Sequence, residues 1–355
     1  MDKYTKQELI GQKLLVGFEG KEIDNYVVDL IQKYKVGGFI LYRRNYDTYS
    51  EFITIIKKLK ELNRVNRIPL LICVDQENGI VNRLPDEFHR IKNALASSKC
   101  NNDVLKEVGD ITAEILYKSG VNVNLAPTVD IYDDKISKSI GNRCFGRTSD
   151  DVIKNTRIII EEHKKNNVIP FIKHFPGLRK IKVDTHILLP RIKHIDEEDL
   201  KPFITHINEN VPGILVEHIL VKDLDKLPVS LSRKTNSLIK DTYNYKGITM
   251  TDDIKMRSVR YRYGRIKAAK LALKSGNDII MFNYPHNKEI RVINEFNKLY
   301  DLYSSDINES AMRIIKLKES FKINDNDFKE LSLDEINKYN ERIDKVNSII
   351  IKENK

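Results

Sequence analysis

The sequence predicts an α/β protein built as a (β/α)8 TIM-like barrel with a C-terminal helical extension. Three observations point there. Eight short apolar runs recur along the chain, each about as long as a buried parallel strand and with little period-two alternation. Between them lie longer segments whose apolar residues fall at helical spacing. Polar, chemistry-bearing residues gather at the C-terminal ends of the runs, which is where a barrel carries its site. An open doubly wound sheet would open on a glycine-rich phosphate turn. The first run here leads into Gly17–Ile23, GFEGKEI, which is no dinucleotide fingerprint.

In order, the strand candidates are Lys13–Phe18, Val36–Tyr42, Pro69–Asp75, Val121–Ala126, Ile169–His174, Gly213–His218, Gly247–Asp252 and Asn277–Asn283. Asn25–Tyr34 sets Tyr26, Val27, Leu30, Ile31 and Tyr34 on one helical face, and Glu51–Leu62 does the same with Phe52, Ile55, Ile56, Leu59 and Leu62. Further helices are expected over Asp103–Lys118, Asp151–Asn166, Asp196–Asn208, Arg233–Tyr243, Arg260–Ser275 and Lys288–Tyr300. Gly120, Gly213, Gly247 and Gly276 stand at helix exits or strand starts, where a left-handed cap suits. Ala311–Phe321 continues as a helix packed on the barrel, and Leu333–Lys355 forms a charged helical tail. The expected division is a barrel over residues 1–322 and a tail over 323–355.

Composition narrows the function classes. Of 355 residues, 41% are hydrophobic and 32% charged, as in a soluble globular protein. The net charge of +10 comes from lysines scattered over the chain, without the basic stripe or recognition motif of a nucleic-acid binder. Cys73, Cys100 and Cys144 are odd in number and lack CxxC spacing, which argues against a disulfide framework and a zinc site. No stretch approaches a membrane span, and the first residues lack the apolar run of a signal peptide, so a cytoplasmic location is the expectation.

The candidate site is densest in Ile169–Pro190, IPFIKHFPGLRKIKVDTHILLP. A buried strand ends at Lys173-His174, turns at Pro176-Gly177, and leads through a basic loop to Asp184-Thr185-His186. Other strand ends add Asp75-Gln76-Glu77 with Arg83 beyond, then Asp130 with Arg143 in GNRCFG. The last three contribute Glu217-His218, Asp252-Asp253 and Asn283. Taken singly, His218 suits a satisfied core histidine, Lys173 a buried ion pair, and Asp253 an N-cap for a helix starting at Ile254-Lys255. Their convergence on one rim makes a site.

These residues resemble glycoside hydrolase family 3, and within it the single-domain bacterial β-N-acetylglucosaminidases that act in peptidoglycan recycling. The resemblance runs from IGQKLLVGFEG to GNDIIMFN and includes VGGFILYRRN, PLLICVDQENGIVNRLP and NLAPTVDI. Its most specific parts are KHFPG, the Asp-Thr-His of VDTHILLP, and TDDIKM. It implies a retaining hydrolase that removes terminal N-acetylglucosamine from peptidoglycan-derived fragments, without a cofactor or metal. Asp252 would be the nucleophile and His186, paired with Asp184, the general acid/base. Asp75, Arg83, Arg143, Lys173 and His174 would hold the sugar hydroxyls and N-acetyl group. The expected partner is an amino-sugar glycan or muropeptide, acted on by a monomer or homodimer.

The chain departs from the family pattern in three places. Ile80 stands where an arginine usually follows Gly-Gly, Leu178–Ile181 replaces a His-Gly-Asp-Thr loop, and Glu217 replaces a small residue. Arg179 and Lys180 add positive charge close to His186, which would lower its pKa. Two other readings are therefore carried: a phosphorylase whose basic loop welcomes phosphate, and a sugar-binding or regulatory homologue without turnover.

Overall fold

The computed structural model describes residues 3–135, 140–181, 189–283, 288–326 and 328–355. Its strands, in chain order, are β1 (Leu14–Val16), β2 (Gly38–Ile40), β3 (Leu71–Val74), β4 (Val123–Asn124) and β5 (Ile169–Phe175). They continue as β6 (Arg191–Ile192), β7 (Gly213–Val216), β8 (Leu220–Val221), β9 (Ile248–Thr251) and β10 (Ile280–Phe282). Eight of them form one parallel sheet in the order β10-β1-β2-β3-β4-β5-β7-β9, and a parallel bridge between Met250 and Ile279 brings its two edges together. The result is a nearly closed (β/α)8 barrel, with one strand at each of the eight apolar runs, β5 extending one residue past its run to Phe175. The sequence gives no sign of the remaining pair, β6 and β8, which form a two-stranded parallel sheet of their own.

Alternate residues of each barrel strand face opposite ways, yet both faces are dry. Leu15, Ile40, Leu71, Val123, Phe171, Ile248 and Met250 pack together in the barrel interior. Leu14, Val16, Phe39, Ile72 and Phe282 face the surrounding helices. Burial on both sides is why the strands read as unbroken apolar runs. Lys318, on the helix Ser304–Ser320, plugs the N-terminal end by donating to the Gly37 and Pro69 carbonyls at 2.9 and 2.6 Å. Burial pulls this ammonium down to about 7.

Three helical expectations change, the first at Arg233–Tyr243, where an α-helix over Arg233–Ser237 gives way to a π-helix over Leu238–Thr242. The span Arg260–Ser275 is two helices, Arg257–Tyr263 and Arg265–Ser275, broken at Gly264, whose φ of +69° is in the left-handed region. Asp253 caps a turn instead of a helix: its Oδ1 accepts from the Lys255 and Asn283 amides at 2.9 and 3.3 Å. Among the glycines, Gly276 does close its helix at φ +85°, but Gly213 does not adopt positive φ. It is small because a Cβ there would meet the Phe171 ring at 2.4 Å.

The last helix, Leu333–Glu353, packs on the helices Ala94–Ser97 and Asn102–Lys118. Two asparagines one heptad apart clamp the stretch that follows β3. Asn340 donates to the Glu87 carbonyl and accepts from the His89 amide, both at 2.8 Å. Asn347 donates to the Arg90 carbonyl and accepts from the Lys92 amide, both at 2.9 Å.

Candidate active site

The C-terminal ends of the barrel strands surround a cavity of about 440 Å³. Asp75 and Glu77 enter it just past β3, Lys173 and His174 from the end of β5, Glu217 past β7, Asp252 and Asp253 past β9, and Asn283 past β10. Arg83 and Arg143 reach in from the loops after β3 and β4. All six of the candidates Asp75, Arg83, Arg143, Lys173, His174 and Asp252 therefore line one cavity. Asp184 and His186 lie outside the described residues.

Glu77 is the hub of the inner wall. Arg143 grips it with two parallel bonds, Nε to Oε2 and Nη2 to Oε1, each 2.7 Å. Lys173 Nζ lies 2.6 Å from Glu77 Oε1 and 2.7 Å from Asp75 Oδ1, with only 3% of the lysine side chain exposed. Burial works against the Glu77 charge, but Arg143 and Lys173 outweigh it and hold the carboxyl well below the usual range. Lys173, itself opposed by burial, is raised by Asp75 and Glu77. The network fixes an ammonium and a guanidinium at the cavity surface without leaving either charge uncompensated.

His174 is oriented from both sides. Arg143 Nη2 lies 3.2 Å from its Nε2, and Asp130 Oδ2 lies 2.7 Å from its Nδ1. A guanidinium can only donate, so Nε2 accepts and the Nδ1 proton points to Asp130. Asp130 Oδ1 also accepts from the Leu178 amide at 2.9 Å, tying the loop after β5 to this wall. His218 turns away from catalysis. It is fully buried, with Nδ1 2.6 Å from Ser230 Oγ and Nε2 3.0 Å from the Asp253 carbonyl.

The Asp252 amide donates to the Val216 carbonyl at 2.9 Å, and the register that pairs Val216 with Thr251 sets Glu217 beside Asp252. Burial, and then the Asp252 charge, push the Glu217 carboxyl well above its ordinary value. Such a group favours folding only while it keeps its proton. The difference vanishes below the ordinary value of 4.5 and becomes a cost as pH rises toward the folded value. Glu217→Gln is therefore expected to raise the melting temperature at pH 8 and leave it unchanged at pH 4. A uniform decrease at both pH values would refute this account.

The positive charge expected near His186 is already committed. Arg179 pairs with Asp199 at 2.8 Å and Asp196 at 3.1 Å, and Lys180 pairs with Asp196 as well. Ile80 is 61% exposed on the turn after Glu77 and does not line the cavity. Glu77 and Asp130, which the sequence places at the rim without a role, prove to be the carboxylates that orient Arg143, Lys173 and His174. Glu77 stood in plain view, two residues past Asp75, but only the fold shows that it joins three strand ends.

Comparison with known proteins agrees with this architecture. Residues 5–317 match the description Glycosyl hydrolase family 3 N terminal domain. A beta-hexosaminidase of Tolumonas auensis is 29% identical over 277 residues, covering 76% of this chain and 81% of that protein. One from Methylococcus capsulatus is 30% identical over 254 residues, covering 69% and 75%. Among solved structures, a family 3 beta-N-acetylglucosaminidase from a Paenibacillus strain superposes with a TM-score of 0.87 at 24% identity, over 97% of this chain and 68% of its own. A fungal multi-domain GH3 beta-N-acetylglucosaminidase gives 0.90 at 26% identity, over 96% and 43%. With the family pattern spanning nearly the whole barrel, the chain belongs to glycosyl hydrolase family 3 and is a glycoside hydrolase.

Proposed function

We propose that the chain is a retaining β-N-acetylglucosaminidase that removes terminal N-acetylglucosamine from peptidoglycan-derived fragments in the cytoplasm. The observation that carries the reading is Asp252 at the end of β9, in one cavity with Asp75, Arg143, Lys173 and His174. The names of the bacterial relatives supply the sugar. A pyranose seated against Asp75, Lys173 and Arg143 would meet both acceptors and donors for its hydroxyls and acetamide, with Arg83 on the outer side. Its anomeric carbon would then face Asp252.

In the first half-reaction the Asp252 carboxylate attacks the anomeric carbon while the glycosidic C–O bond breaks, and protonated His186 gives its proton to the leaving oxygen. In the second, His186 takes a proton from water, the hydroxide oxygen attacks the anomeric carbon, and the bond to Asp252 breaks. Asp184 would hold the imidazole in orientation and stabilise its charged form, as carboxylates do in other Asp–His pairs. Two inversions give net retention.

The test is hydrolysis of 4-nitrophenyl N-acetyl-β-glucosaminide followed by proton NMR. The β-anomer of the free sugar is expected to appear first. An α-anomer first would overturn the retaining mechanism, and a sugar 1-phosphate formed in phosphate buffer would identify a phosphorylase. Binding without turnover of this glycoside or of muropeptides would identify a binding homologue.

A further inference from the structure

The charges of the cavity divide into two zones. On the inner wall every strong cation has a carboxylate: Arg143 and Lys173 hold Glu77 and Asp75. At the mouth they do not. Five cations line it, Arg44, Arg83, Lys255, Arg257 and Arg260. Glu19 is their one carboxylate partner among the described residues, shared by Arg44 at 3.3 Å and Lys255 at 3.5 Å. Asp253, which also lines the cavity, accepts from the Lys255 and Asn283 amides and feels the Lys255 charge, but forms no ion pair with the three remaining arginines among the described residues.

The remaining three guanidinium groups are held in place by uncharged neighbours. Arg257 donates from Nη2 to the Tyr261 hydroxyl at 3.2 Å, and Arg257 and Arg260 lie 5.2 and 5.3 Å from the Tyr261 ring centre. Stacking on one ring orients both groups while leaving their donors free for an incoming ligand. Arg83 donates from Nη1 to the Asn82 carbonyl at 3.4 Å, and its buried Nε has no hydrogen-bond partner among the described residues. On much of the remaining surface the opposite holds, and arginines such as Arg157, Arg233 and Arg342 each meet acids.

We propose that this mouth is an anion subsite, taking a carboxylate or phosphate carried by the leaving-group side of the substrate. The inference rests on the glycosidase reading, in which a sugar seated with its anomeric carbon at Asp252 would project its leaving group toward the open side of the cavity that Arg257 and Arg260 also line. A neutral glycoside would engage the inner wall but leave the rim cations with no carboxylate beyond Glu19 among the described residues. A substrate with an oxyanion on its second sugar offers charge-assisted, bidentate partners to guanidinium groups already in position. Long-range attraction by the same rim would speed encounter and would fade with salt.

The test uses three disaccharides that differ only in charge. They are N,N′-diacetylchitobiose, the same disaccharide with a lactyl ether carboxylate on the reducing sugar, and its 1-phosphate. The readout is the ratio of kcat/KM for each anionic substrate to that for the neutral one. Wild type is expected to favour one or both anions by about tenfold in dilute buffer, with the ratio falling toward one at about 0.5 M salt. In Arg257→Gln/Arg260→Gln the ratio should drop by a similar factor, and Arg257→Lys/Arg260→Lys should recover part of it. The preferred anion identifies the group. A ratio of one in wild type, or a ratio unchanged by the double substitution, overturns the proposal.

If wild type cleaves none of the three, nor the aryl glycoside, the glycosidase reading fails instead. The subsite is then judged by calorimetric affinity for the same three compounds. Tighter binding of the anions, lost in the glutamine variant, would sustain it, and equal affinities would sink it.

Discussion

Asp252→Asn is expected to lower kcat for 4-nitrophenyl N-acetyl-β-glucosaminide by a factor on the order of 10⁴–10⁶, as loss of a covalent nucleophile does elsewhere. The change is nearly isosteric. Asp252 Oδ1 accepts from the Asp253 amide at 2.6 Å, and an asparagine Oδ1 can do the same. The backbone bond to Val216 does not involve the side chain. Melting temperature should therefore not fall, and can rise at neutral pH as the Asp252 charge no longer opposes Glu217, separating chemistry from folding. If Asp252 merely bound the sugar, KM would rise and kcat would fall by much less. A loss below about tenfold in kcat would remove Asp252 from the nucleophile role.

The second large effect is on stability. Lys173→Met removes the cation that Asp75 and Glu77 share, in a place where its side chain is 3% exposed. Breaking a buried ion pair by deleting one partner costs about 3–5 kcal/mol, because the surviving charge stays desolvated. Urea denaturation at pH 7 should show a loss of that order. The sign with pH follows from Glu77. Its folded carboxyl is depressed below the ordinary value of 4.5, so its contribution is present above that value and is lost as pH falls through the folded value. The variant depresses Glu77 less, and its deficit should therefore narrow as the pH is lowered below about 4.5. A deficit that is constant with pH would point to packing instead of charge.

The barrel was legible because parallel strands sealed on both faces leave a simple trace, eight unbroken apolar runs. The helix termini were less so. Nothing in RYRYGRIKAAK distinguishes a tolerated glycine from a break, and only the φ of Gly264 decides it. The site was legible at the level of strand ends and illegible at the level of partners. Arg179 and Lys180 look like free cations when read along the chain. In space they turn to Asp196 and Asp199, at the start of the helix Glu197–Asn208. Glu77 is the reverse case, a charge that sequence spacing leaves unassigned and three-dimensional convergence makes central. Long, flexible side chains choose their partners across the fold, and local pattern carries no record of that choice.

The asparagine clamp of the last helix bears on the order in which the molecule becomes complete. A chain emerging from the ribosome has all eight barrel strands by Phe282, with Asp75, Lys173 and Asp252 already made. At that moment the Glu87 and Arg90 carbonyls and the His89 and Lys92 amides still lack the partners that Asn340 and Asn347 provide. The stretch they belong to begins four residues past Arg83. The floor of the cavity is thus made before the anchor of the span just past Arg83, which waits for the helix Leu333–Glu353.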